Sequence, residues 1–341
     1  MKRTIVRFEI PVGWRASSTG RMSIGPSFEI SDLSNGVVVV GKDLLEIPIA
    51  HPGGSTHIAL DGTWNFRNSD TIEIFKEVRG YYQQVFGGWI PGEIQVNFVK
   101  FPMAVNSGEW EADARGKTIT IFSSDMPFPN QSVQRLHEQL RHEIFHLWVP
   151  NGVNLTGNYD WFYEGFALYQ SLKMGVGVNR IRFDDYLDTL SRAQAIDTRQ
   201  SNRTSMIEAS RNRWNGSNTD VYARGMLVAF LCDLAMLDAS KGKRSTNDLV
   251  RALYAKHSGN APSQDGNAAV IALMKQRPEL VQIADRYVTG AEKLELTPLI
   301  AAAGIELNGG KLTVVAKPTG RQKDLLDKLG YNNWRKLANE K

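Results

Sequence analysis

The stretch RHEIFHLW, residues 141–148, contains a His-Glu-x-x-His motif in a segment whose apolar spacing predicts a helix over residues 132–148. Residues four apart on a helix lie about 40° apart around its axis, so His142 and His146 project from one face toward one point. Glu143 is placed to reach a water molecule held there. The motif therefore predicts a zinc ion that activates water, with Glu143 as the general base.

A third metal ligand is expected from DWFYEGFA, residues 160–167, because two histidines leave a tetrahedral zinc ion short of one protein ligand. Glu164 follows His146 by 18 positions and falls at the start of a helix predicted over residues 161–174. Gly165 removes a side chain beside it, and the surrounding aromatic residues favour a dry site. Two histidines and one glutamate leave a position for water, which is typical of one catalytic Zn²⁺ ion.

Each part of this set also has a structural interpretation. A chance His-Glu-x-x-His motif would form a solvated helix face, and Glu164 could be a surface carboxylate favoured by the dipole at a helix start. Both interpretations weaken when the motif and the glutamate occur together at this separation. The other four histidines are interpreted as structural or surface residues, because His137 faces away from His142 on the same helix and no acidic or histidine partner is expected near His51, His57 or His257.

Hydrophobic patterns divide the chain into a β-rich beginning and a mostly helical second half, which predicts an α+β fold. We expect an N-terminal β region (residues 1–65), an α/β half ending in the zinc helix (66–150), a helical half (151–290) and a tail with a hairpin and a short helix (291–341). Helices are predicted over residues 70–86, 132–148, 161–174, 183–196, 221–239, 246–257, 267–275 and 280–288. The polar segment 198–220 is interpreted as a lid or substrate-side loop because it is too long for a simple connector.

Composition excludes several classes of protein. A single cysteine, Cys232, excludes an internal disulfide and any multi-cysteine metal site. The 40 Lys and Arg residues are interspersed with 36 acidic residues, so no nucleic-acid partner is expected.

No apolar run approaches the roughly 20 residues of a transmembrane helix. The start of the chain carries no signal core, which indicates a cytoplasmic protein if the chain is complete and an extracytoplasmic one if it is trimmed. The oligomeric state stays open.

These motifs resemble the glycyl-aminopeptidase-like family of gluzincin zinc metallopeptidases. The resemblance extends to SMIEAS, residues 205–210, and to VYARGMLV, residues 221–228, which is similar to the family's Tyr-x-Lys-Gly-Ala-Leu helix. It implies that Tyr222 donates a hydrogen bond to the oxyanion, a contribution typically worth about 2.7–4 kcal/mol. The structural alternative is a core tyrosine at a helix start.

The resemblance also implies a thermolysin-like catalytic domain, with a small mixed sheet and a helical half, preceded by a short antiparallel β region. Residues 118–122 would form the edge strand that pairs with the backbone of a peptide or protein substrate. The implied activity is zinc-dependent hydrolysis of peptide bonds, with an aminopeptidase as one form of it. The alternative function is a catalytically weak or inactive zinc-containing protein that binds peptides as a scaffold.

Two departures from the family pattern bear on the substrate. Aminopeptidase relatives carry a Gly-rich segment ending in a glutamate that binds the substrate's α-amine, whereas this chain has SGEWEADARG at residues 107–116. Glu109 or Glu111 is the candidate amine-binding residue, and a solvated loop carboxylate is the alternative for either. Arg224 replaces the family's lysine, which keeps the charge but changes the geometry of its donors.

Overall fold

The computed structural model describes residues 4–22, 27–30 and 32–334. Parts of the predicted N-terminal β region (residues 1–3, 23–26 and 31) and of the predicted tail (335–341) therefore lie outside the described residues. The chain forms two compact units, Met1–Gly152 and Val153–Lys341. The structure confirms that the chain combines α-helices with β-sheets. Among the described residues, no helix combines the length and hydropathy that a membrane crossing requires.

The described residues of the first unit form three β-sheets. One pairs strands in the order β1-β4-β3, the second pairs β2 with β5, and the third has five strands in the order β6-β7-β8-β10-β9. In the third sheet β7, β8 and β10 are mutually parallel, and the two outer strands are antiparallel to their neighbours. The strands are β1 (Thr4–Arg7), β2 (Arg15–Ser18), β3 (Arg21–Met22), β4 (Ser27–Ile30), β5 (Val38–Gly41), β6 (Leu44–His51), β7 (Gly54–Asp61), β8 (Ile94–Lys100), β9 (Trp110–Arg115) and β10 (Thr118–Ser123).

The prediction that residues 118–122 form the edge strand was wrong, because β9 lies outside β10 in the five-stranded sheet. The burial of the two strands gives the reason. Thr118–Ser123 is buried almost throughout, as expected of an inner strand covered on both faces. Trp110–Arg115 alternates partly buried and exposed residues and carries its charges outward, which protects an exposed sheet edge from pairing with another chain.

Two helices of the first unit pack against each other through aromatic rings. The helices are α1 (Asn68–Phe86), which ends at Gly87 in a left-handed conformation, and α2 (Pro129–Glu143), which continues as a 3₁₀ turn over Ile144–Leu147. Phe86 stacks on Trp148 with ring centroids 5.3 Å apart, and Tyr82 meets Phe145 edge-on at 5.7 Å. The Tyr82 hydroxyl also donates a hydrogen bond of 2.6 Å to the Arg141 carbonyl. The C-terminal end of α2 is thus fixed by apolar packing and one buried hydrogen bond.

The second unit is mostly helical, as the sequence predicted. Its hairpin turns at Gly309-Gly310, with Asn308 paired to Lys311, and confirms the predicted one. The predicted loop 198–220 holds a short helix and a 3₁₀ turn, Arg213–Asn215. The elements are α3 (Asp160–Gly177), α4 (Phe183–Arg199), α5 (Met206–Arg211), α6 (Asn218–Ala239), α7 (Thr246–His257), α8 (Gly266–Lys275), α9 (Pro278–Ile283) with a π turn over Ala284–Thr289, α10 (Thr297–Ala302), α11 (Gly320–Lys328), β11 (Leu155–Thr156), β12 (Gln264–Asp265), β13 (Ile305–Asn308) and β14 (Lys311–Val314).

Helices α3 and α6 form the centre of the second unit. They approach so closely that a Cβ atom added to Gly165 would lie 2.4 Å from the carbonyl carbon of Gly225. A Cβ atom on Gly225 would in turn lie 2.6 Å from the Trp161 carbonyl oxygen. Such distances are too short for any side chain, so glycine is required at both positions for the backbones to touch.

A buried charge also links these two helices. Lys173 of α3 donates to both carboxylate oxygens of Asp233 of α6 at 2.9 Å, and Asp233 is fully buried. Asp233 accepts further hydrogen bonds from the Tyr169 hydroxyl and from the backbone and side chain of Thr246. The carboxylate is therefore fully hydrogen-bonded, as a buried charge must be.

Candidate metal centre

The two motif histidines face each other at the end of α2. His142 lies in the last turn of the helix and His146 in the 3₁₀ turn that follows, and both are buried. Their Nε2 atoms lie 3.3 Å apart. Two nitrogen ligands at about 2.0–2.1 Å from a tetrahedral zinc ion are themselves about 3.3–3.4 Å apart. The spacing of the two rings therefore fits a shared zinc ion.

The orientation of His146 is fixed by its second ring nitrogen. Its Nδ1 lies 3.1 Å from the carbonyl oxygen of Val149, which can only accept a hydrogen bond. In the neutral ring the hydrogen is therefore on Nδ1, and Nε2 keeps the lone pair that a metal needs. The 3₁₀ turn brings the Val149 carbonyl into this position.

Glu143 is buried beside the histidines without joining their ligand set. Its Oε1 atom lies 3.9 Å from His142 Nε2. The carboxylate therefore lies on the flank of the histidine pair, where it would be close to a water molecule held by a bound metal ion.

Glu164 lies in the first turns of α3 and is also buried. Its Oε1 atom lies 3.0 Å from Nη1 of Arg213, and the same nitrogen donates to Asp160 Oδ1 at 2.8 Å. Burial alone would lower the pKa of the Arg213 guanidinium, but the charges of Glu164 and Asp160 outweigh burial and raise this pKa above its ordinary value. Arg213 is therefore a permanent cation beside this carboxylate.

His142, His146 and Glu164 together form a group that can hold a metal ion. One ligand atom from each residue lies within 4.8 Å of the other two, and among the described residues no other group of three or more His, Cys, Asp or Glu side chains converges in this way. Imidazole nitrogens and a carboxylate oxygen are the donors that catalytic zinc sites use. The donor set fits one Zn²⁺ ion.

Arg213 also contacts Tyr222. Its Nη2 donates a hydrogen bond of 2.6 Å to the Tyr222 hydroxyl oxygen, and the guanidinium carbon lies 5.1 Å from the centre of the Tyr222 ring. Sequence reasoning missed Arg213, since it lies in the polar segment interpreted as a loop. No local pattern marks it, because its partners lie on two different helices.

The two candidate amine-binding glutamates lie at and near the start of β9. Both carboxylate oxygens of Glu109 accept hydrogen bonds of 3.0 Å from Asn106, and Glu109 and Glu111 are both exposed. Between them, Trp110 turns toward the zinc helix, with its ring centre 6.3 Å from that of His142. Alternate strand residues point to opposite faces, so Glu111 does not share the face that Trp110 presents to His142.

Arg224 forms a buried ion pair. Its Nη1 donates to Asp197 Oδ1 at 2.7 Å, and its Nη2 donates to the carbonyl oxygen of Glu292. A lysine has only one nitrogen and could not reach both partners with the same fork geometry. Arg224 therefore joins α6 to the end of α4 and to the segment after α9.

Comparison with solved structures identifies proteins with the same fold. An aminopeptidase N family protein from Idiomarina loihiensis superimposes with a TM-score of 0.72 at 16% sequence identity, covering 86% of this chain and 56% of that one. The fold is similar to that of M1 zinc metallopeptidases. One such enzyme from Deinococcus radiodurans gives a TM-score of 0.58 at 16% identity, covering 86% of this chain and 64% of that one. A mutant of the enzyme, bound to a Tyr-Ser-Ala substrate, gives the same TM-score at 17% identity.

The likeness is confined to structure. No protein-family model and no curated protein matches the sequence. The chain spans 56–64% of the length of the three solved structures named above. The M1 zinc metallopeptidase fold and the two-histidine, one-glutamate donor set together support one Zn²⁺ ion as the cofactor.

Proposed function

We propose that this chain is a zinc-dependent peptide hydrolase, with His142, His146 and Glu164 as the metal ligands. The observation that carries the proposal is the convergence of these three buried donors within 4.8 Å of one another. The similarity in fold to M1 zinc metallopeptidases, one of them solved with a Tyr-Ser-Ala substrate, supports a peptide as the substrate class.

The zinc ion and two side chains have separate tasks in the proposed reaction. When bound, zinc supplies a Lewis acid that makes water more acidic and polarises a carbonyl group. The Glu143 carboxylate takes the proton of the attacking water and then gives it to the leaving amine, so one residue serves as base and acid. The Tyr222 hydroxyl, which accepts a hydrogen bond from Arg213, donates its own hydrogen to the oxyanion that forms at the substrate carbonyl.

The decisive test is Glu143→Gln, which keeps the shape of the side chain and removes its basicity. We expect kcat/KM on a peptide library to fall by about 10²–10⁴ while the zinc content measured by atomic emission stays at one ion per chain. Glu138→Gln is the matched control, since Glu138 is on the same helix, is half-exposed and pairs with Arg135 on the surface. Peptide cleavage that survives Glu143→Gln would defeat the proposal.

The same library separates the remaining alternatives. Product mapping by mass spectrometry, with and without N-acetylation of the peptides, distinguishes an aminopeptidase from an enzyme that cuts internally, because an obligate aminopeptidase rejects acetylated substrates. Glu109 and Glu111 are both exposed, so the comparison of free and N-acetylated peptides is the experiment that tests whether the chain recognises a substrate amine. A wild-type chain that holds one zinc ion and binds peptides without cleaving any would instead favour the scaffold function.

A further inference from the structure

Arg213 makes one buried contact network in the second unit. It begins the 3₁₀ turn between α5 and α6, follows Glu164 by 49 positions and is 9% exposed. Its Nη1 contacts Asp160 and Glu164, its Nη2 donates to the Tyr222 hydroxyl, and its Nε donates to Asn218 Oδ1 at 3.2 Å. All three guanidinium nitrogens are therefore engaged.

The planar guanidinium makes these contacts interdependent. Its nitrogens are held in one rigid plane, so a group bound to Nη1 and a group bound to Nη2 cannot move independently. Asp160 and Asn218 fix the plane of Arg213 from two sides. Given that plane, the carboxylate oxygen of Glu164 and the phenol oxygen of Tyr222 take fixed positions relative to each other.

The direction of the hydrogen bond to Tyr222 carries a second consequence. Arginine can only donate, so the Tyr222 oxygen must accept, and its own hydrogen is turned away from Arg213. Arg213 thereby sets the direction in which the Tyr222 hydroxyl donates. A side chain that could both donate and accept would leave two orientations open.

We propose that Arg213 is a positioning residue that holds the metal ligand Glu164 and the oxyanion donor Tyr222 in one geometry, so that zinc affinity and the chemical step depend on the same side chain. The effect on the chemical step rests on the proposed function, whereas the effect on zinc affinity rests on the donor set alone. Arg213 itself needs no contact with the substrate.

The test compares Arg213→Met, Arg213→Lys and the control Arg211→Met. Arg211 lies two positions away, and its side chain is 65% exposed. Zinc affinity is measured by competition with a chromogenic chelator, and kcat and KM at saturating zinc. We expect Arg213→Met to weaken zinc binding by about 10–100-fold, which is typical for the loss of a group that orients a metal ligand, and Arg211→Met to change nothing.

Arg213→Lys separates positioning from charge and from folding. A lysine keeps the buried cation that Asp160 and Glu164 require, but it cannot bridge to Tyr222 with a second nitrogen. We expect this variant to unfold near the wild-type temperature and to lose kcat with little change in KM. Combining Arg213→Lys with Tyr222→Phe should lower kcat no further than Tyr222→Phe alone, because the two changes remove the same contribution.

The outcomes distinguish the inference from the proposed function. If Arg213→Met binds zinc as tightly as the wild type, Arg213 does not position Glu164, whether or not the chain cleaves peptides. If the losses in kcat from Arg213→Lys and Tyr222→Phe multiply, Arg213 does not act through Tyr222. If the wild type binds zinc and cleaves nothing, the proposed function fails, and the chelator competition alone then supports or overturns the role of Arg213 at Glu164.

Discussion

The end of α2 in the first unit and the α3–α6 pair in the second are both buried, but different interactions hold them. Around α2, four aromatic rings from Tyr82, Phe86, Phe145 and Trp148 meet at centroid distances of 5.3–6.3 Å. Between α3 and α6, the lysine–aspartate pair has side-chain exposures of only 12% and 0%. One region is held mainly by apolar packing and the other by packing together with enclosed charge.

Substitutions in the two regions should therefore lower stability in different ways. Apolar contacts are lost by degrees, since trimming a ring removes area and leaves a small cavity. Removing one partner of a buried ion pair causes a large loss of stability in one step, because the remaining charge is left uncompensated in a medium of low dielectric. The cost therefore depends on whether both partners are removed together, which gives a direct way to test the comparison.

The largest effect is expected at Asp233. Asp233→Ala leaves Lys173 buried without its partner and should lower the free energy of unfolding by about 3–5 kcal/mol, measured by urea denaturation. The double variant Lys173→Met/Asp233→Asn should recover much of this loss, since no charge is then left buried and the amide oxygen can still accept from Tyr169 or Thr246. Asp238→Ala is the control on the same helix, where a partly exposed pair with Arg321 is worth at most about 1 kcal/mol. Equal losses in the single and double variants would contradict the comparison.

A smaller, graded effect is expected at Phe86. Phe86→Leu removes the stacked contact with Trp148 but keeps an apolar side chain of similar bulk. The free energy of unfolding should therefore fall by about 1–1.5 kcal/mol. Zinc affinity should be unchanged, because the hydrogen bond from His146 to Val149 remains. Phe128→Leu, at a position 64% exposed, should fall within about 0.5 kcal/mol of the wild type. A loss as large as that of Asp233→Ala would show that the two regions do not differ.

The smallest effect is expected at a charged contact in the first unit that is only partly buried. His57 Nδ1 lies 2.7 Å from Glu46 Oε1, and this hydrogen bond is the main cause that raises the pKa of His57 above 6.5. The protonated form is thus favoured by folding. Its stabilisation is complete below the unfolded-state pKa and is lost as the pH rises through the higher folded-state pKa.

Because both side chains are about one-third exposed, this contribution should amount to only a few tenths of a kcal/mol. An NMR titration of His57 should give a pKa above 6.5 that decreases in Glu46→Gln. A folded-state pKa at or below 6.5 in the wild type would show that Glu46 does not stabilise the protonated ring.

The parts of the site that sequence predicted are those encoded locally. The His-Glu-x-x-His spacing places His142 and His146 together because α2 continues directly into the 3₁₀ turn that carries His146, and Glu164 follows in a motif of its own. The edge strand β9 was missed because Glu111, Asp113 and two alanines have low strand propensity. Arg213 was missed because its contacts join residues far apart in the chain, and no periodic pattern records them.

The glycine contact between α3 and α6 restricts how this sequence can drift. At most buried positions, a larger residue on one element can be balanced by a smaller one on its neighbour. Gly165 faces the backbone of Gly225, and Gly225 faces the carbonyl of Trp161, so neither position has a facing side chain that could shrink in return. Compensation would require one helix to move, and with it Glu164 or Tyr222. Substitutions that preserve the fold should therefore occur at residues around this helix crossing, while Gly165 and Gly225 remain glycine.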